Sequence, residues 1–299
     1  MTARTRTSVA IGTVLAGLVL AGCANPEALD RTPEDSLARV QGAAAKVTQA
    51  RSARLSMTIT STFAGESVAA STATTQGVYD YAAHKGQMDS TVKTAGIPFK
   101  VSMRTLVIGS TTYIKTPDLP AGEVPEGALP PLAEERHKPW TKLEVPKELA
   151  GQSPPGPGLG PVPGDAGGDP TQALSYLQSA TSKVDRVGSE QVRGTPTTRY
   201  AVVLDAAKIA AQGPAELQGL TEETGLAFPR PADVWIDEQG RLRKIHYAVT
   251  IKIPKEMGGS ATTMTVDTTL ELYDFGVPVK VTPPPANQVE VIRPDQPTR

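Results

Sequence analysis

The sequence predicts an α+β fold: a large curved antiparallel β-sheet, or half-barrel, with helices packed on its concave face. Apolar and polar residues alternate with a period of two, typical of strands with one buried face, through two long parts of the chain. Each part is preceded by a segment whose apolar residues recur at helical spacing. A stretch rich in proline and glycine separates the two parts. A single sheet of roughly ten strands, covered by helices on one face and by water on the other, accounts for all three observations.

The composition is that of an ordinary globular domain, and it excludes some functions. Hydrophobic residues make up 39% of the 299 residues but aromatic ones only 4%, so we expect a core of Val, Ile, Leu, Met and Ala. The net charge of −1 gives no basic surface of the kind that binds nucleic acid, and no nucleic-acid partner is predicted. Because the chain has a single cysteine, no internal disulfide can form and burial must hold the fold together.

The N-terminus has the parts of a lipoprotein signal. Arg4 and Arg6 precede an apolar run at residues 9–20, and two small residues then precede Cys23. Residues 1–22 are therefore predicted to be a signal peptide, and Cys23 the lipidated first residue of the exported protein. Two acyl chains, at about 0.8 kcal/mol per buried methylene, anchor a protein where one would not. An uncleaved transmembrane helix would need about 20 apolar residues, which this run lacks. A plain secretory signal would leave a free thiol outside the cell.

The first half of the mature chain is predicted to contain a tether, a helix and a meander of antiparallel strands. Residues 23–31 are polar and predict a short tether. The predicted domain, residues 32–282, begins with an amphipathic helix that has Thr32 as N-cap and Pro33 as its first residue. The apolar stripe of this helix is Leu37, Val40, Ala44 and Val47. Alternation then predicts strands at residues 55–59, 77–81, 86–92, 99–103, 106–108, 111–115 and 140–143.

The second half repeats this order. Residues 144–170 are dense in proline and glycine, which predicts an inserted mobile loop or linker. Asp169 caps a second predicted helix with the stripe Ala173, Leu174, Leu177 and Ala180. Strands are predicted at residues 184–192, 197–204, 234–236, 245–253 and 264–272, with turns at 193–196 and 237–240 and a helical or irregular insertion at 205–226. Residues 283–299 form a proline-rich tail.

The inward stripes of these strands are the candidate functional site. A curved sheet of this width encloses more volume than thin, alanine-rich helices fill, and an empty cavity costs about 24 cal/mol per Å³. Either the sheet closes onto the helices or a ligand occupies the cavity. Methionine side chains are flexible, so they suit a cavity wall that accommodates an alkyl chain. The commoner fate of such stripes is to pack on the helices as core. The residues predicted to line a lipid cavity, of several hundred cubic ångströms, are Leu55, Met57, Ile59, Phe99, Val101, Met103, Val202, Leu204, Val234, Ile236, Tyr247, Val249, Met264 and Val266.

Short motifs at the predicted strand ends carry a family resemblance. They are Trp140-Thr141-Lys142, Arg193-Gly194-Thr195-Pro196-Thr197, Trp235-Ile236-Asp237 with Gly240-Arg241-Leu242, and Tyr273-Asp274-Phe275-Gly276. With the lipoprotein signal, the early helix and the paired meanders, they resemble the LppX/LprG family of actinobacterial lipoproteins, which is related in fold to the LolA/LolB carriers. The segment at 144–170 is longer than the family pattern.

The resemblance implies a half-barrel with a hydrophobic cavity, anchored to the outer face of the plasma membrane. It implies a protein that binds acylated lipid or glycolipid and carries it through the cell envelope. The implied partners are the membrane and the lipid, and an envelope transporter is a further candidate. No cofactor is implied other than bound lipid.

No catalytic or metal site is predicted. His84, His137 and His246 are scattered without metal-ligand spacing. Ser90 and Lys93 match the S-x-x-K pattern, but they stand at a strand end instead of a helix start, which favours a chance match.

Two other classes of function stay open from the sequence. A surface-anchored adaptor or sensor would have a filled core and bind a protein partner through its convex face or its proline-rich segment. A hydrolase built on Ser90 is a weaker hypothesis.

Overall fold

The computed structural model describes residues 33–65, 69–96, 98–115, 138–144, 174, 177, 181–204, 230–252 and 261–292. The predicted signal peptide, Cys23, the tether, residues 145–170 and the insertion at 205–226 lie outside this part. A helix, α1, spans Pro33–Gln49. The strands are β1 Ser52–Gly65, β2 Ala69–Asp80, β3 Lys85–Thr94, β4 Lys100–Ile108, β5 Thr111–Lys115, β6 Trp140–Glu144, β7 Thr181–Val192, β8 Thr195–Leu204, β9 Arg230–Asp237, β10 Leu242–Lys252, β11 Ala261–Tyr273 and β12 Val289–Ile292.

All these strands belong to one curved sheet of 12, in the order β12-β6-β5-β4-β3-β2-β1-β11-β10-β9-β8-β7. The meander β1–β6 and the meander β7–β11 meet where β1 pairs with β11. Every pairing is antiparallel except that of β12 with β6, which is parallel. The predicted fold class, a curved antiparallel sheet with helical cover, is confirmed. The alternation pattern missed β12, because this strand lies in the proline-rich tail.

α1 packs on one face of this sheet, against β7, β10, β9 and β1; we call this face the inner face. Acidic residues in its first turn and Lys46 in its last turn complement the helix dipole. Its stripe of Val40, Ala43, Ala44 and Val47 is buried. Leu174 and Leu177 are helical, as the second predicted stripe requires, and both lie in the same core cluster. The remaining residues of that stripe, Ala173 and Ala180, and its cap Asp169 lie outside the described residues.

The turn between β7 and β8 is tighter than the pattern predicted. The predicted turn of four residues, 193–196, is wrong, because Thr195 and Pro196 already belong to β8. Arg193 and Gly194 alone form the turn, with φ values of 50° and 75°. Two successive residues with positive φ match the twist of a two-residue hairpin, so the strands pair up to the turn itself.

Asp237 connects the turn between β9 and β10 to α1 through its backbone oxygen, while its buried carboxylate holds two arginines. Asp237, with no exposed side-chain surface, accepts hydrogen bonds from Arg241 Nε at 2.9 Å and Arg243 Nε at 2.8 Å. Arg39 on α1 donates from Nη2 to the backbone oxygen of Asp237 at 2.9 Å. The guanidinium groups of Arg241 and Arg243 lie 4.5 and 4.7 Å from the ring centre of Phe275. Asp237 therefore joins the helix and the turn through charge-assisted hydrogen bonds, and the two arginines that it holds contact Phe275 of the C-terminal segment.

The substitution Asp237→Asn should lower the free energy of unfolding by about 3 kcal/mol, because it leaves two guanidinium groups facing a neutral amide in a buried position. Chemical denaturation checks this value. Asp274→Asn is the matched control: its carboxylate is 58% exposed and lies 3.5 Å from Arg54, so a change of about 0.5 kcal/mol or less is expected. Equal effects of the two substitutions would contradict a structural role for Asp237.

Candidate functional site

The strand register determines which side chains share the inner face. Paired residues on neighbouring strands point to the same side of a sheet. Leu55, a member of the core cluster with α1, pairs with Gly77, which pairs with Met88. On its other side Leu55 pairs with Leu272. Every second residue along each strand, counted from these positions, therefore belongs to the inner face.

The strand residues predicted to line the cavity all lie on the inner face by this register. They are Leu55, Met57 and Ile59 on β1, Val101 and Met103 on β4, Val202 and Leu204 on β8, Val234 and Ile236 on β9, Tyr247 and Val249 on β10, and Met264 and Val266 on β11. Phe99 precedes β4 and has no register partner. That these residues hold a lipid stays a prediction; that the strands bring them to one face is a finding.

Part of this face is packed against the helix. Leu55, Val202, Val234 and Ile236 are buried in the core cluster that contains α1, and Met57 and Tyr247 pack against it. Val249 and Val266 are also buried. This part provides the stability of the half-barrel.

The inner face also has an open zone of apolar side chains that stay partly exposed. The residues of the open zone are Ile59, Phe63, Ala73, Val92, Val101, Met103 and Met264. Ile59, Ala73, Val92 and Val101 are direct neighbours across β1, β2, β3 and β4. Phe63, Ala73 and Val92 were not among the predicted site residues, although Phe63 continues the alternation of Ile59 and could have been found from it.

Small side chains widen the open zone at β2. The inward positions Ser71, Ala73, Thr75 and Gly77 are all no larger than threonine. Ala73 lies between the longer side chains of Ile59 on β1 and Val92 on β3, so the wall is lower at Ala73 than on either side. A low, partly apolar wall leaves room for another molecule against the sheet.

The S-x-x-K pattern does not form a catalytic pair. Ser90 lies on the inner face, where its Oγ is 2.8 Å from Thr75 Oγ1. Lys93, three residues further along β3, points to the opposite face because side chains alternate. The lysine therefore cannot take a proton from Ser90, and the hydrolase hypothesis loses the general base that would activate its nucleophile.

The histidines are also separated. His246 lies on the outer face, 2.9 Å from Asp267, and His84 lies in the turn between β2 and β3, while His137 is outside the described residues. Among the residues that the structure describes, no three His, Cys, Asp or Glu side chains are grouped to hold a metal. No helix in this part of the chain has the length and apolarity needed to cross a membrane.

The outer face is polar, with charged side chains arranged around Trp235. Trp235 Nε1 donates a hydrogen bond of 2.8 Å to Glu190 Oε2. Arg199 contacts Glu190 at 3.2 Å and Asp233 at 3.0 Å, and Lys244 Nζ lies 4.5 Å from the indole centre. The indole donor and then Arg199 lower the pKa of Glu190, and Asp233 and Glu190 raise the pKa of Arg199. The two faces thus differ in chemistry, which suits one to water and the other to apolar molecules.

The chain aligns with several solved structures at low sequence identity. LprF from Mycobacterium bovis is 15% identical, with a TM-score of 0.42 over 85% of this chain and 98% of that one. The lipoprotein LppX from Mycobacterium tuberculosis is 16% identical, with a TM-score of 0.42 over 84% of this chain and 100% of that one. A putative outer membrane lipoprotein-sorting protein domain from Vibrio parahaemolyticus is 11% identical, with a TM-score of 0.26 over 81% and 92%.

No protein-family model and no curated protein matches the sequence. LppX is a member of the family that the sequence motifs resemble. Identities of this size concern the fold alone.

Acidification should reveal the bond between Glu190 and Trp235. The pKa of Glu190 is lowered in the folded protein, so the bond is retained below the ordinary pKa of a glutamate and is lost as pH falls through the lowered value. Trp140→Phe removes the second of the two tryptophans, so that the fluorescence comes from Trp235 alone. In this background the emission of Trp235 should change in a transition whose midpoint is the lowered pKa of Glu190. Adding Glu190→Gln should abolish the transition. An unchanged transition in that variant would assign it to another group.

Proposed function

We propose that the protein is a membrane-anchored lipoprotein that binds acylated lipid or glycolipid on the inner face of its half-barrel and carries it through the cell envelope. The observation that supports this proposal is the open zone: apolar side chains on the same face as the core that α1 and the strands leave partly exposed. The polar outer face, by contrast, has its charges paired near water.

An acyl chain fits the physical properties of the open zone. Apolar surface in water costs about 25 cal/mol per Å², and an alkyl chain covers it without any need for directional contacts. Met103 and Met264 have long, unbranched and polarisable side chains that adapt to guests of different shape. Because the free energy of an acyl chain is similar in a bilayer and against an apolar wall, transfer between them needs little driving force.

The proposed anchor places this face near its source of lipid. If Cys23 carries acyl chains, ten residues connect the membrane to Pro33 at the start of α1, and an extended chain of that length spans about 35 Å. The half-barrel then works close to the bilayer surface. A transporter of the envelope would be a partner for delivery, and bound lipid would be the ligand.

Lipid that co-purifies with the protein tests the binding proposal. Protein made in its own host without the acyl anchor should contain about one lipid molecule per chain, as a cavity of the usual ligand size allows, measured by native mass spectrometry and lipid extraction. Ala73→Phe should lower this content about fivefold, because the ring fills the low part of the wall.

The matched control is Ala248→Phe, which adds the same ring at an exposed outer position and should leave lipid content unchanged. Circular dichroism checks that both variants are folded. A wild-type protein that is always empty would overturn the proposal and favour the adaptor or sensor with a filled core.

Mass spectrometry of the mature protein tests the anchor. The intact protein should begin at Cys23 and carry the mass of a diacylglycerol group, and labelled palmitate should enter it. Cys23→Ser should remove the label, because the thiol that carries the acyl group is gone. A mature protein that begins at another residue, or a Cys23→Ser variant that still takes up label, would contradict lipidation at this site.

A further inference from the structure

Two buried polar atoms without hydrogen-bond partners belong to paired residues near the edge of the sheet. Glu290 on β12 pairs in register with Thr141 on β6. Thr141 is 1% exposed. In the part of the chain that the structure describes, Thr141 Oγ1 and Glu290 Oε2 are both buried and neither has a hydrogen-bond partner. Such atoms are few in native proteins, and each calls for an explanation.

Both side chains belong to the inner face. Thr141 pairs with Ile114, and Ile114 pairs with Thr105. Thr105 pairs with Met88, an inner-face member of the core cluster. Because paired residues share a face, the two orphan oxygens point to the same side as the open zone.

The spacing suits one amphipathic molecule. Three strand spacings separate β12 from β4, which is about 14 Å along the sheet, and Met103 of the open zone lies on β4. The polar pair and the apolar wall are thus far enough apart to contact different parts of one lipid.

We propose that Thr141 and Glu290 bind the polar head of the lipid through a hydrogen-bond donor on it, such as a hydroxyl group, and disfavour anionic heads. A carboxylate only accepts hydrogen bonds, whereas a threonine hydroxyl both donates and accepts. A ligand hydroxyl would satisfy Glu290 Oε2 and contact Thr141. A phosphate would bring like charge to a buried carboxylate, and a fully ionised phosphate would offer it no donor. This inference rests on the proposed function and specifies which lipids it selects.

Diacylglycerol and phosphatidic acid with identical acyl chains test the selection. Competition binding to the full mature chain with Cys23→Ser should favour diacylglycerol by about tenfold, since only its head offers a hydroxyl without charge. Glu290→Gln should reduce this preference to about threefold or less, because an amide both donates and carries no charge. Thr141→Val should weaken diacylglycerol binding about threefold and leave phosphatidic acid unchanged.

Controls of the same chemistry lie elsewhere on the chain. Glu238→Gln changes an exposed carboxylate in the turn between β9 and β10, and Thr74→Val changes an exposed hydroxyl on the outer side of β2; neither should alter the preference. Thermal unfolding of the lipid-free protein gives a second measurement. Thr141→Val should not lower the melting temperature, because it removes a buried oxygen that has no partner.

The outcomes separate the two proposals. If neither lipid binds, the proposed function is overturned and the head-group site with it. If both lipids bind equally and the Thr141 and Glu290 variants behave like their controls, the head-group site alone is overturned and lipid binding stands. A Thr141→Val variant that melts well below wild type would show a structural role for the hydroxyl and would also overturn the site.

Discussion

The pairing of β1 with β11 is the constraint on which the rest of the structure depends. These strands come from opposite ends of the described chain and pair along 12 register positions, from Arg54 with Tyr273 to Gly65 with Ala261. Side chains alternate with a period of two, so a slip of one residue would turn one meander's apolar stripe outward. The observed register instead places Leu55 beside Leu272 and extends one inner face across both meanders. A continuous wall of this kind exists only because that long-range pairing is in register.

A sheet so wide cannot be covered by the helix alone. Eleven strand spacings give the 12-stranded sheet a width of about 53 Å when laid flat, whereas a helix is about 10 Å wide with its side chains. α1 lies on β7, β9, β10 and β1, and the helical residues Leu174 and Leu177 extend the same core. The open zone extends over β1–β4 and β11 and shares β1 with the part that α1 covers. The contrast between a packed part and an open part thus follows from the size of the sheet and the position of one helix.

Much of this architecture could be predicted because one-sided burial leaves a period of two in the sequence. The stripes at Leu55–Ile59, Tyr247–Val249 and Met264–Val266 were visible for that reason, and the proline at the start of α1 marked its first turn. Non-local contacts leave no such pattern in the sequence. β12 is a strand because it pairs with β6, and from the sequence alone its Glu290 would be interpreted as a solvated residue of the tail. Ala73 could not be predicted for the same reason. A small inward residue stands out little in the alternation pattern, and its effect depends on its neighbours on β1 and β3.

If the protein binds lipid as proposed, selectivity has to come from polar atoms on the inner face. The hydrophobic effect is non-directional and nearly proportional to area, so an apolar wall holds any acyl chain of suitable length with similar strength. Discrimination among lipids with the same acyl chains therefore requires protein groups that bind one head group favourably and another unfavourably. Thr75 and Ser90 satisfy each other at 2.8 Å and are not available for this purpose. Thr141 Oγ1 and Glu290 Oε2 have no hydrogen-bond partner among the described residues and could bind a head group. Buried polar atoms discriminate against a mismatched head group more strongly than exposed ones, because water cannot replace the missing partner.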